Sequence, residues 1–216
     1  PVYQLSGGAL VPVRLLSVLV GALLLLVVYW TVQELAPDRP GLALGAAAFV
    51  AFLPMHLSMT AAANNDTLAE LLLATVLLLA IRYLKRPKSP LDEREDSQLL
   101  VLLGITTGLG LVTKSSVYVA VPLVLAAIAA RHLWLDRPAP RASGTLKALV
   151  LFLLPTVALA LPWWLRNMVL YGGFDFLGLG RHEQVVAGQI RTDEFAAAYG
   201  VMRLIQDFAV TSFRSF

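Results

Sequence analysis

The chain has 216 residues, of which 58% are hydrophobic and only 14% charged, with a net charge of +3 and a mean hydropathy of +0.73. A water-soluble domain of this size needs more polar surface, so the composition defines an integral membrane protein. Cysteine is absent, which excludes a disulfide framework, a thiolate metal site and a cysteine nucleophile. The basic residues form no dense face with interleaved aromatics, which excludes nucleic acid as a partner.

Apolar runs of about 18 residues or more read as membrane spans. The first is Leu15 to Val32, the second Gly41 to Met59 and the third Thr67 to Leu84. Two shorter runs follow, Leu99 to Val112 and Val117 to Ala130, separated by "TKSS" at 113 to 116. They read as two short tilted helices or as a hairpin that enters and leaves on one side. Ala148 to Leu165 is a further full span. From Tyr171 the chain turns Gly-rich and irregular, the punctuation of a loop. Phe195, Tyr199, Met202, Ile205 and Phe208 then recur at helical spacing, with Arg203, Gln206 and Asp207 on another face, which predicts an interfacial amphipathic helix. The expected fold class is an all-α polytopic transmembrane helix bundle with short broken helices. Residues 1–170 form the transmembrane region, and 171–216 form an outer loop and amphipathic helix leading towards a further C-terminal part. Because Pro1 rather than Met comes first, the chain reads as an interior piece of a longer polypeptide.

Positive charge orients the set. Arg82, Lys85, Arg86, Lys88 and Arg94 follow the third span, and Arg131, Arg137, Arg141 and Lys147 precede the span at Ala148. Both groups belong on the cytoplasmic side, together with the short Glu34 to Pro40 turn. Asn64, Asn65 and Asp66 then face outward, as do Lys114, Arg166 and Asn167.

Each polar group has a structural and a functional reading. Thr67 to Glu70, "TLAE", matches a capping box, so the Asn64 to Asp66 stop starts a helix; it also suits one wall of a site at the membrane surface. A lysine at the centre of a span costs roughly 2.5–3.5 kcal/mol. Lys114 is therefore either a snorkelling side chain or a cation placed for a lipid phosphate, with Thr113, Ser115 and Ser116 beside it. Trp163 and Trp164 set Arg166 at headgroup level, where a guanidinium serves as an anchor or as a bidentate partner of phosphate. Arg181 and His182 read as part of a solvated outer loop. His56 reads as a hydrogen-bonded structural group. No zinc-protease, α/β-hydrolase or nucleotide-binding motif occurs.

Taken in order, "RLLSVLVGALLLLVVYWTVQEL", "AAANNDTLAELLL", "LLGITTGLGLVTKSSVYVAVPLVL", "WWLRNMVLYGGFDFLG", "VVAGQIRT" and "TSFRSF" resemble bacterial membrane glycosyltransferases of the GT-C type. They are similar in particular to the dolichyl-phosphate-mannose–protein mannosyltransferases, glycosyltransferase family 39 and its relatives. The resemblance implies a multi-pass enzyme of the bacterial plasma membrane that takes a sugar from a polyprenyl-phosphate donor. The sugar passes to a protein, lipid or glycan acceptor on the extracytoplasmic side. Lys114 and Arg166 would hold the donor phosphate. Asn65, Asp66, Asn167, Arg181 and His182 would line the sugar pocket. Neither a cofactor nor a metal is implied, and the partners are the carrier-linked sugar, membrane lipids and further subunits of a membrane complex. In such families the general base is an aspartate in the first outer loop. Pro1 to Val13 contains no acidic residue, so that base is expected outside this chain. Two other readings stand beside this one. A non-catalytic membrane subunit or scaffold also fits a chain without the base. A transporter or flippase fits broken helices around Lys114, but no inverted repeat accompanies them.

Overall fold

The computed structural model describes residues 7–62, 64–86, 93–135, 142–186, 188 and 190–214, and among these every regular element is helical. Lys88, Arg137 and Arg141 lie outside the described residues. Helix α1 spans Leu10–Leu35, α2 Pro40–Ala51, α3 Pro54–Ala61, α4 Asp66–Lys85 and α5 Glu93–Thr113. A 3₁₀ segment, Ser115–Val119, leads into α6 (Ala120–Ala130), which ends in a π turn at Arg131–Leu135. Helix α7 covers Ala142–Tyr171, followed by α8 (Leu179–Val185), α9 (Thr192–Tyr199) and α10 (Val201–Arg214).

Among the described residues, five helical stretches are long and apolar enough to cross a membrane: α1, α4, α5, Ser115–Leu133 and α7. Two expectations change here. The runs Leu99 to Val112 and Val117 to Ala130 looked short because charge interrupts the apolar pattern. The helix backbone nevertheless continues through Arg94, Glu95 and Asp96 at one end and through Arg131 at the other, so both reach spanning length. The run Gly41 to Met59 is not one straight span, because α2 and α3 meet at an angle of 61°. The cause is Pro54 at the start of α3. The proline ring disfavours helical geometry at the preceding residue, and Leu53 is extended at φ −69°, ψ 118°.

The core lies among α4, α5, α6 and α7. Val76, Leu79 and Tyr83 of α4 meet Leu100 and Leu103 of α5, Val124 and Ile128 of α6, and Phe152 of α7. Helices α5 and α7 approach closely because Gly104 and Gly108 of α5 carry no side chain. A Cβ at Gly104 would lie 2.3 Å from the Phe152 carbonyl oxygen, and one at Gly108 would lie 2.9 Å from Leu159 Cβ. The Thr156 hydroxyl bridges the seam, donating to the Phe152 and Gly104 carbonyls at 2.7 and 3.1 Å. Pro155 and Pro162 sit inside α7. Membrane helices tolerate such prolines when neighbouring groups take up the freed backbone positions. Helix α1 packs on the other flank of α4 through a stripe of Ser17, Gly21, Leu24 and Val27, while Leu15, Val18, Leu19 and Leu26 face outward. Apolar residues on that outer surface suit lipid.

Ion pairs tie each end of the bundle. At one end, Arg82 Nε of α4 lies 3.2 Å from Glu34 of α1, and Arg131 is buried against Asp96 at 2.6 Å. The Arg131 guanidinium also donates to the Tyr83 carbonyl and stacks 4.3 Å from the centre of its ring. The Tyr83 hydroxyl meets His132 Nε2 at 3.2 Å. At the opposite end, Asp66 meets Lys114. Glu34, Arg82, Asp96 and Arg131 thus share the side assigned to the cytoplasm, opposite the Asp66–Lys114 pair.

The segment after Tyr171 is more ordered than a Gly-rich loop. Gly178, at φ +75°, turns the chain into α8, a conformation that favours glycine. The expected amphipathic stretch forms two helices, α9 and α10, parted by Gly200 at φ +83°. Met202, Ile205 and Phe208 are exposed on α10, Arg203 pairs with Asp207 at 3.2 Å, and α10 touches α3.

Candidate functional site at the α4 start and the α5–α6 junction

Lys114 is the one residue between α5 and the 3₁₀ segment, and its backbone is extended at φ −159°, ψ 142°. The reversal is tight because Gly110 leaves room for Val117, whose Cγ1 would lie 2.4 Å from a Cβ at that position. This break aims the lysine ammonium at the first turn of α4, where it contacts Asp66 Oδ1. Asn65 adds a second link, donating from Nδ2 to the Thr113 carbonyl at 2.6 Å. Asn64 completes the cluster: its Oδ1 accepts the Asp66 N–H at 3.2 Å and its Nδ2 lies 3.3 Å from Asp66 Oδ2. Asp66 also sits in the first turn of α4, where the helix dipole favours a negative charge.

The capping box expected at Thr67 to Glu70 does not form. Helix α4 begins at Asp66, two residues earlier than that box requires, with Asn65 as its N-cap. The Thr67 hydroxyl donates instead to the Met59 carbonyl at 3.1 Å, tying α4 to α3. Glu70 turns to His56, whose Nδ1 lies 3.5 Å from Glu70 Oε2. His56 is buried, as expected of a structural histidine, but its carboxylate partner was missed. The proline-induced bend is what brings α3 and its histidine against α4, and "LPMH" is the sequence signal that points to it.

These elements enclose a cleft of about 210 Å³. Its apolar walls are Met55, Met59, Ala69, Leu73 and Val117, and its polar groups are Asp66, Glu70, Lys114 and Ser116. An apolar cleft with a few convergent polar groups is the usual form of a small-ligand site. Lys114 keeps 40% of its side chain exposed and Asp66 22%. An ammonium has three donors, so a second acceptor has room to approach Lys114 while Asp66 holds it. A larger, open apolar trough of about 540 Å³ lies on a different face of α3, lined by Pro54, Leu57, Ser58, Ala61 and Ala62. Among the described residues, no group of three or more His, Asp or Glu side chains gathers as a metal site.

The remaining candidates lie on α7 and beyond it. Arg166 and Asn167 do not follow the last span but lie within it, because α7 continues to Tyr171. Arg166 stacks 4.8 Å from the centre of the Trp163 ring and donates to Asn167 Oδ1 at 3.3 Å. Asn167 is buried, and its Nδ2 donates to the Phe176 carbonyl at 2.9 Å, folding the following turn back on α7. Trp164 reaches the other way, donating to the Tyr118 hydroxyl at 2.6 Å, four residues beyond Lys114. Arg181 and His182 lie exposed on α8. The Asp175 carboxylate accepts the backbone N–H groups of Arg181 at 2.9 Å and Gly180 at 3.2 Å. These bonds, that of Arg181 foremost, hold its pKa below the usual carboxylate value despite a smaller opposing effect of desolvation. The structure thus joins Asn65, Asp66 and Lys114 directly, while Arg166 and Asn167 lie on α7 and Arg181 and His182 on α8, none of them among the residues that line the cleft.

The fold and the cleft define a multi-pass helical membrane protein with a charged, ligand-sized recess at the end of its bundle opposite the Glu34–Arg82 and Asp96–Arg131 pairs. The family model described as dolichyl-phosphate-mannose-protein mannosyltransferase matches residues 2–157, and the chain belongs to that family of membrane glycosyltransferases. The match takes in Asn65, Asp66 and Lys114 and ends within α7, before Arg166. No curated protein and no solved structure matches the chain.

Proposed function

We propose that this chain forms the donor-binding part of an enzyme of the bacterial plasma membrane, which moves a sugar from a polyprenyl phosphate to an extracytoplasmic acceptor. The observation that carries this reading is the cleft in which Lys114, on the break between α5 and α6, is aimed by Asp66 and steadied by the Asn65 bond to Thr113. A carrier phosphate becomes the second acceptor of the Lys114 ammonium. As the sugar departs, negative charge builds on that phosphate, and a cation already in place stabilises it without rearrangement. Arg166, at headgroup level beside Trp163, supplies a second cation from α7. Asn167 holds the Phe176 turn against α7, and Arg181 and His182 on α8 cover the donor from outside. The apolar trough on α3 offers the carrier chain a surface contiguous with the lipid.

The test is donor turnover by the full-length protein in membranes. Lys114→Ala and Arg166→Ala are expected to lower turnover by about ten- to hundredfold, the worth of a hydrogen bond to a charged group. Insertion and expression should stay as in the wild type. Unchanged turnover in both variants removes the phosphate site.

A further inference from the structure

We infer that Glu70 recognises the sugar of the carrier-linked donor and that His56 is the residue that positions it, an inference that rests on the reading of the Lys114 cleft given above. Glu70 follows Asp66 by four residues on α4, so the two carboxylates share one face of that helix. Both line the cleft, yet they are not equivalent. Asp66 is engaged by the Lys114 ammonium and by Asn64. Glu70 has a 3.5 Å contact with His56 and keeps 43% of its side chain exposed. A carboxylate offers about four acceptor positions, so one imidazole contact leaves most of that capacity for a ligand.

The position suits a sugar rather than a phosphate. The phosphate belongs beside the Lys114 ammonium, whose charge offsets the adjacent Asp66, whereas Glu70 has the His56 imidazole against it. Residues four apart on a helix stand about 5–6 Å apart, which is the step from a phosphate to the hydroxyls of a ring attached to it. Vicinal hydroxyls donate to the two oxygens of one carboxylate. The cleft, about 210 Å³, has room for one sugar ring. An acidic residue one turn into a membrane helix is costly unless partnered, and here the partner is a buried histidine on the far side of the α2–α3 bend. That histidine fixes where the carboxylate stands. Its own backbone is anchored in α3, where the Thr60 hydroxyl donates to the His56 carbonyl at 2.9 Å.

The experiment compares equilibrium binding of two probes to the full-length protein in lipid nanodiscs: bare polyprenyl phosphate, and the same carrier bearing mannose. The wild type is expected to bind the mannosylated carrier more tightly. Lys114→Ala should weaken both probes by a similar factor. Glu70→Ala should cost about ten- to hundredfold for the mannosylated carrier alone, leaving the bare carrier unchanged. His56→Ala should weaken the mannosylated carrier in the same selective way, and His56→Asn, which restores a donor to Glu70, should recover part of the loss. Bare-carrier binding doubles as the folding control. Equal binding of both probes by the wild type, an unaffected Glu70→Ala variant, or a Glu70→Ala variant that loses both probes alike would each overturn the assignment. The last result would make His56–Glu70 a structural latch between α3 and α4. Failure of the wild type to bind either carrier overturns the underlying reading of the cleft, a result distinct from the other three.

Discussion

At the scale of single residues, ionised groups near water and ionised groups inside the bundle carry different weight. Asp175 lies beyond the membrane-spanning helices, so its value is local: it accepts the first backbone N–H groups of α8. Because its folded pKa lies below that of the unfolded chain, its contribution is complete above the ordinary carboxylate value of about 3.9. The contribution disappears as the pH falls through the lower, folded value. Asp175→Asn at neutral pH should therefore speed amide exchange across 179–185, and wild-type protein should show the same change only under strong acid. Arg131 is the opposite case, only 3% exposed and held by Asp96 and the Tyr83 carbonyl. Removing its counter-charge by Asp96→Ala leaves a buried cation with one partner fewer and should cost on the order of 3 kcal/mol, read as a lower thermal midpoint in detergent. The double variant Arg131→Met, Asp96→Leu should recover most of that loss. Neither partnership of Arg131 was legible in the sequence, where it counted only towards orientation. The meeting of Asp66 and Lys114 at one end was legible, because alternating spans assign both to one side.

Among whole elements, the sequence reading succeeded where apolar runs are uninterrupted and failed where charge or proline sits inside a helix. The first turn of α5 and the last turn of the Ser115–Leu133 stretch hold charged residues, so hydropathy alone shortened them. Pro54 lay inside a run that remained apolar, so hydropathy gave no sign of the 61° bend. The proline itself, with its restriction on Leu53, was the available signal. The His56–Glu70 pair went unseen for the same reason, since a straight helix carries His56 elsewhere. Close helix contact makes a further prediction. At Gly104 an added methyl meets the backbone oxygen of Phe152, which has no freedom to yield. Gly104→Ala should part α5 from α7 and cost about 1–3 kcal/mol in thermal stability. Gly45 in α2 is open, with nothing within 4 Å of the place a Cβ would take. There Gly45→Ala should instead add about 0.5–1 kcal/mol, as alanine does in a helix interior.

For the molecule as a whole, three charged contacts sort the helix ends into two sets: Asp66–Lys114 in one, Glu34–Arg82 and Asp96–Arg131 in the other. With the bent α2–α3 pair counted as one crossing, the described residues provide up to six spans, and these alternate without conflict. The absence of cysteine makes this directly measurable. Asn64→Cys should react with a membrane-impermeant thiol reagent applied to intact cells. Arg94→Cys should react only after the membrane is opened. The opposite labelling pattern inverts the topology and removes the extracytoplasmic assignment of the cleft.

The bend at Pro54 has a consequence for the surrounding lipid. Helix α2 has 12 residues, which is about 18 Å of helix against a hydrocarbon thickness of about 30 Å. Beyond it the chain turns away by 61° and α3 runs obliquely. A short hydrophobic length draws the leaflets together around it. A bilayer is therefore expected to thin locally beside α2 and the bend that leads to Met55 and Met59. On the proposed function, a long-chain carrier lipid would meet a lower barrier to lifting its headgroup there, so donor binding is expected to respond to membrane thickness.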